Sequence, residues 1–413
     1  MESRLPSMPQ EILLAIVSYL TNPLQDAAKN ELPGDGPTEY YHDIYNVALS
    51  CKKISIVARD VLLSGPIFVP FAKLDRLVHT YLRYPHFATR PRSLEVVTGY
   101  NKSLNVVNDP FGWPKVDDGF ERSCIEVIRK LDISEANRND WIASLRPDKS
   151  KLVPDKDFII PDFKAQDTFF GLLLVMLPNL QELYLGTLHI VNVPVLQDLI
   201  WDRRTDIDWP SPKVAAWYSG YLLNAMLLVA PRLTHLELPL RWPDMSNAAE
   251  VTRTTERPNI TESFINLKTL TVNPRVLESG YLLSAILPAS PLFPNLRHLN
   301  IVGDYDFNFV ESLPNLAELI ADGVQPMPSE LQGIDIFQVR PLVPWWKVRR
   351  SVRKKALAQL ANAFRIRIRV HHSSHPFVDA SHVVDAVDYY MRSRAGGECD
   401  LKVLPETEFR HLL

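Results

Sequence analysis

Along residues 8–20 (MPQEILLAIVSYL) apolar side chains return at Ile12, Leu13, Ile16 and Leu20, the spacing of one helix face, with Val17 beside them. Pro9 suits the first turn, Glu11 suits the positive end of the helix dipole, and Asn22-Pro23 stops the run. Residues 21–42 are polar and broken by Pro33-Gly34 and Gly36-Pro37, which predicts a long loop. Helical spacing resumes over 43–63, with Ile44, Val47, Ala48 and Cys51 on one face. After a bend near 50–53, Ile54, Val57, Ala58 and Val61 mark a second face. This pattern predicts a helical domain over 1–68, with an insert at about 21–42. So small a domain buries only ~60% of its unfolded surface, so its apolar faces need another surface.

From there on a different pattern takes over: apolar, two residues, apolar, one residue, apolar. It stands at Ile128/Leu131/Ile133, Leu180/Leu183/Leu185, Leu233/Leu236/Leu238, Leu267/Leu270/Val272, Leu296/Leu299/Ile301 and Leu316/Leu319/Ala321. A weaker copy lies at 93–96. The last two apolar positions alternate with polar ones, which predicts a short strand buried on one face. Helical stretches precede several strands, and two of them share Gly-Tyr-Leu-Leu, at 220–223 and 280–283. Units that cannot bury their apolar face alone must stack, so residues 69–345 read as a parallel solenoid of irregular repeats. The stretches 115–122, 147–161, 202–212 and 243–258 are expected as loop insertions, and 322–345 as a proline-punctuated connector. Residues 346–413 read as a closing unit: a helix, then the strict alternation RIRIRV over 365–370, then a helix over 376–394.

Composition narrows the class. The chain has 413 residues, 46% apolar and 23% charged, with a net charge of -3. This is globular usage, and so even a balance disfavours a chain-wide nucleic-acid role. Proline is abundant at 33 residues and glycine scarce at 15, which disfavours phosphate-cradling loops. Cys51, Cys124 and Cys399 form no CxxC, and the simplest compartment is a reducing one. No leader or membrane span is legible, so a cytoplasmic or nuclear place, or both, is expected.

The N-terminal segment resembles an F-box. Met8-Pro9-Gln10-Glu11-Ile12 running to Leu20 stands for the first half of that family's pattern, and Val47-Ala48-Leu49-Ser50-Cys51-Lys52-Lys53 for the second. Departures are Met8 for the usual Leu, Ser50 for a frequent Val, Ile54 where an aromatic is common, and a longer loop between the halves. The repeats over about 90–325 resemble the leucine-rich repeats of F-box proteins with irregular, fungal-type units. The expected fold class is α/β: an all-α F-box followed by a solenoid of short parallel strands and helices. The resemblance implies a non-catalytic substrate-recognition subunit of a cullin-based ubiquitin ligase. Its F-box would dock a Skp-type adaptor, and through it a cullin, by Pro9, Ile12, Leu13, Ile16, Leu20, Ile44, Val47 and Leu49. The alternative is an interaction scaffold whose N-terminal helices only cap the solenoid.

In each predicted strand the residues flanking the middle apolar position point away from the core. They are Lys130 and Asp132, Glu182 and Tyr184, His235 and Glu237, Thr269 and Thr271, and His298 and Asn300. This mixed surface is the expected binding face for a protein substrate. The basic run 347–355 reads as the polar face of a helix in preference to a nuclear import signal or a nucleic-acid patch. His371, His372, His375 and His382 lack a metal-ligand pattern, so no metal is assigned. No GxSxG, HExxH, P-loop or GxGxxG is present, and neither an enzyme site nor a cofactor is expected.

Overall fold

A computed structural model describes residues 8–9, 11–15, 52–64, 67–70, 73–97, 116–145, 164–186, 225–226, 228–238, 240, 264–272, 293–302, 330–338, 367–372, 390 and 394. These residues fall into two compact units divided between Tyr184 and Leu185, with 225–226 and 228–229 joining the first. Both carry parallel strands, and the first combines them with α-helices.

In the first unit residues 11–15 are helical and are followed by α1 (Lys52–Ser64), β1 (Ile67–Pro70), α2 (Leu74–Arg83), α3 (Pro85–Ala88) and β2 (Ser93–Val97). Then come α4 (Asp118–Arg129), α5 (Glu135–Ala143), α6 (Lys164–Met176) and β3 (Glu182–Tyr184). The strands pair in parallel, with Ile67 opposite Leu94 and Leu94 opposite Leu183. The expected domain limit at residue 68 falls within β1, and α1 packs on β1 and α3. Helix α2 buries Leu74, Val78 and Tyr81, and α4 buries Phe120, Cys124 and Ile128, each set on a single stripe. Helix α6 is buried from Thr168 to Leu174 without a break, as befits a helix packed on several sides. Phe169 stacks on Phe120 at 5.6 Å, and the Trp141 indole donates to the Thr168 carbonyl at 3.3 Å. A Cβ added to Gly171 would lie 3.0 Å from Trp141 Cζ2, so glycine is what lets this indole close on the helix.

Two expectations fail here. Residues 128–133 are not a strand: Ile128 and Arg129 end α4, and 130–134 turn into α5. The aliphatic spacing there serves the buried stripe Phe120/Cys124/Ile128, continued by Leu131, so a helical period was read as an alternating one. Likewise 118–122, expected as loop, is the first turn of α4. It is started by Asp117, whose carboxylate accepts the Phe120 N–H at 2.7 Å.

The second unit holds β4 (His235–Glu237), β5 (Thr269–Val272), β6 (His298–Val302), β7 (Gly333–Gln338) and β8 (Arg367–His372), parallel and paired in sequence order. Strand β7 corrects the expected connector, where Gly333-Ile-Asp-Ile-Phe alternates as a strand should. Each corner is a turn, with Leu233 N–H on Ala230 O, Leu267 on Phe264 and Leu296 on Phe293. Asparagines tie one corner to the one before it: Asn266 donates to Pro231 O at 2.7 Å and Asn295 to Ile265 O at 2.6 Å. Within the first unit Asn179 does the same to Thr89 O. The sixth copy of the pattern, at 316–321, the basic run and the expected helix over 347–364 lie outside the described residues, as do Cys51 and Cys399.

Candidate interaction face

Parallel pairing sets equivalent residues side by side. In the second unit Leu236, Leu270, Leu299 and Ile334 form one apolar row, and all four are buried. The opposite face carries two polar rows. One runs His235, Thr269, His298, Gly333, Arg367; the other runs Glu237, Thr271, Asn300, Asp335, Arg369. The first row stays partly open at His235, Thr269 and His298 and exposed at Arg367. The second row is closed at one end.

That closure is built from charge. Glu237, 1% exposed, accepts from the Gly186 N–H at 2.9 Å on one carboxylate oxygen. Its other oxygen accepts from Tyr390 Oη and from Arg394 Nη1, both at 2.9 Å. Tyr390 Oη also lies 3.2 Å from Thr271 Oγ1, which accepts from Asn300 Nδ2 at 3.0 Å. The Tyr390 ring meets Phe337 of β7 edge-on at 4.9 Å. Burial, with the Glu237 charge beside it, pushes the Tyr390 hydroxyl well above its ordinary pKa. Further along the row Arg369 grips Asp335 with two bonds, 2.5 and 2.6 Å.

The predicted substrate-facing residues therefore divide. His235, Thr269, His298 and Asn300 are partly exposed on one face of the second unit, and Glu182 and Tyr184 are partly exposed in the first. Glu237 and Thr271 share the predicted face but are buried beneath Tyr390 and Arg394. Lys130 and Asp132 leave it altogether, since they sit exposed in the turn after α4. Of the residues the family resemblance singles out, Pro9 and Ile12 are exposed, with Ile12 at 49%. Leu13 is 1% exposed, in a core with Ile54, Val57 and Ala58. Ile16, Leu20, Ile44, Val47 and Leu49 lie outside the described residues.

Sequence reasoning missed Tyr390 and Arg394 because no local pattern links them to Glu237, more than 150 residues earlier. It missed Asp335 with the connector, although the alternation of 365–370 did place Arg367 and Arg369 on one side. Cys124 is fully buried; burial and the nearby Glu121 push its thiol up to about 12, which silences it as a nucleophile. Among the described residues no group of three His, Cys, Asp or Glu is placed to hold a metal, and no helix is long and apolar enough to cross a membrane. His375 and His382 lie outside the described residues. The sequence matches no family model and no curated protein.

Proposed function

We propose that this chain is a non-catalytic recognition subunit of a cullin-based ubiquitin ligase, an F-box joined to an irregular leucine-rich solenoid. The F-box docks a Skp-type adaptor, the polar strand face holds a protein substrate, and rate comes from proximity. The observation that carries the reading is the split of the N-terminal motif. Leu13 anchors the first helical segment on α1, while Pro9, Ile12 and, on α1 itself, Ile56 at 56% exposure stay outside. Apolar residues held outward by a firm base are what a docking helix needs. The test is capture of the purified full chain by a purified Skp-type adaptor. Wild type is retained and Ile12→Asp is lost, with circular dichroism unchanged. A folded wild type that is not captured sinks the reading.

One observation favours the second reading, a scaffold capped by its N-terminal helices. Asp60 of α1 pairs with Arg90, and Arg59 lies 5.1 Å over the Tyr84 ring, so α1 is fastened to the α2–β2 region of the first unit. On that reading deleting residues 1–66 unfolds the first unit, whereas a separable F-box leaves its circular dichroism and melting midpoint nearly unchanged.

A further inference from the structure

We propose that Arg59, Arg83 and Arg90, held on the rings of Tyr84 and Phe87 where α1, α2 and α3 meet, form a docking patch for an Asp/Glu-rich polypeptide segment. Its residues are distinct from those assigned above to the adaptor and to the strand face.

Three elements build the patch. Arg83 is the last residue of α2, Tyr84 follows it, and Arg59 comes from α1. The Phe87 N–H donates to the Tyr84 carbonyl at 3.0 Å and the Arg90 N–H to the Phe87 carbonyl at 3.2 Å, so Tyr84, Phe87 and Arg90 follow one another at single-turn spacing. The Arg59 and Arg83 guanidiniums lie 5.1 and 5.6 Å over the Tyr84 ring, and Arg90 lies 5.6 Å over Phe87. All three arginines are exposed.

Charge and geometry point to the occupant. Two like charges on one ring repel each other, and an anion relieves that cost. The carboxylate already beside them, Asp60, is paired with Arg90. Among the described residues Arg59 and Arg83 meet no acid. A ring contact uses none of a guanidinium's N–H donors, so both keep their donors for a carboxylate in the forked geometry that arginine favours. The ring contact also narrows the freedom of each long side chain, so less is lost when the carboxylate arrives. A single-stranded nucleic acid fits this surface less well. Its bases stack on open ring faces, whereas Tyr84 carries Arg59 and Arg83 and Phe87 is buried.

The test uses the full chain and a fluorescein-labelled synthetic peptide of alternating Glu and Gly, read by anisotropy at low salt. Wild type is expected to bind it and to release it as salt is raised, because the patch is exposed. Arg59→Gln/Arg83→Gln is expected to bind about tenfold more weakly, with an unchanged circular dichroism spectrum. Arg122→Gln/Arg129→Gln removes the same charge from exposed arginines of α4 and should bind as wild type does. A peptide with Gln in place of Glu should not bind. No binding by folded wild type overturns the proposal. So does an equal loss in both double variants, which would make the attraction a matter of net charge alone. Tighter binding of labelled oligothymidylate through the same two arginines overturns it in favour of nucleic acid. If Arg59→Gln/Arg83→Gln does not fold, Arg83→Gln alone decides, since it leaves Arg59 on the Tyr84 ring. That change should weaken binding about threefold, and an unchanged affinity overturns the proposal. None of these readouts involves the adaptor, so adaptor capture and peptide binding stand or fall separately.

Discussion

A carboxylate sealed from water keeps its charge only if donors replace the water, and Glu237 has donors on both oxygens. Removing one leaves the charge behind. Arg394→Ala is therefore expected to lower the unfolding free energy by about 3 kcal/mol, the low end for a broken buried pair because the arginine is partly solvated. Urea midpoints measure this. Adding Glu237→Gln should restore part of the loss, since coupled residues are not additive. Gly186 is held to the same point by space. A Cβ there would collide with Glu237 Oε1 and crowd Leu240 Cδ1 at 3.1 Å, so Gly186→Ala must displace the carboxylate and is expected to lose about 1–3 kcal/mol. An unchanged urea midpoint for Gly186→Ala would show that the carboxylate has room to retreat.

At the scale of elements, the corners are stitched by side chains as well as by the strand ladder. Asn266 and Asn295 each reach back to a carbonyl of the preceding corner. Both asparagines are exposed, so water partly replaces the lost bond, and each alanine variant should lose about 0.5–1.5 kcal/mol. Helix α6 makes the opposite kind of contact. Gly171→Val would set a branched Cβ 3.0 Å from Trp141 Cζ2 and place a β-branched residue in the helix interior. An expected loss of about 1–3 kcal/mol, seen as a lower thermal midpoint, checks that the indole is pinned there. The short apolar pattern was legible along the chain, but the role of the asparagine before it was not. The carbonyl it reaches belongs to an earlier corner, brought close only when the strands pair.

At the scale of the whole molecule, two buried groups among the described residues hold their protons more tightly than usual: Cys124 in the first unit and Tyr390 in the second. Both are raised, so the folded state binds these protons more tightly than the unfolded chain does. Their contribution to stability is complete below the unfolded values, near 9 for the thiol and 10 for the phenol. It is lost as pH climbs toward the folded ones, about 12 for Cys124. Unfolding free energy should accordingly fall between pH 9 and 12. Cys124→Ala and Tyr390→Phe should each flatten part of that limb, and a slope that neither variant changes would show that other groups govern it.

Local chemistry alone determined much of this protein. Period-two alternation marked strands at 182–184, 235–237, 269–272, 298–302 and 367–372, because a side chain's face on a strand depends only on its neighbours in sequence. Helical spacing likewise marked stretches that precede strands, among them the helix before β3. Where periods of two and 3.6 share the same apolar positions, as at 128–133, sequence had no means to choose. Packing of α4 on α2 and α6, with Phe120 against His79 and Phe169, settled that segment as a helix end. Only tertiary structure decided that Gly333–Gln338 joins the parallel strands, that Leu13 turns inward while Ile12 turns out, and that Tyr390 and Arg394 cover Glu237. Those outcomes depend on which distant residue arrives, and neither burial nor a hydrogen-bond partner is encoded by spacing alone.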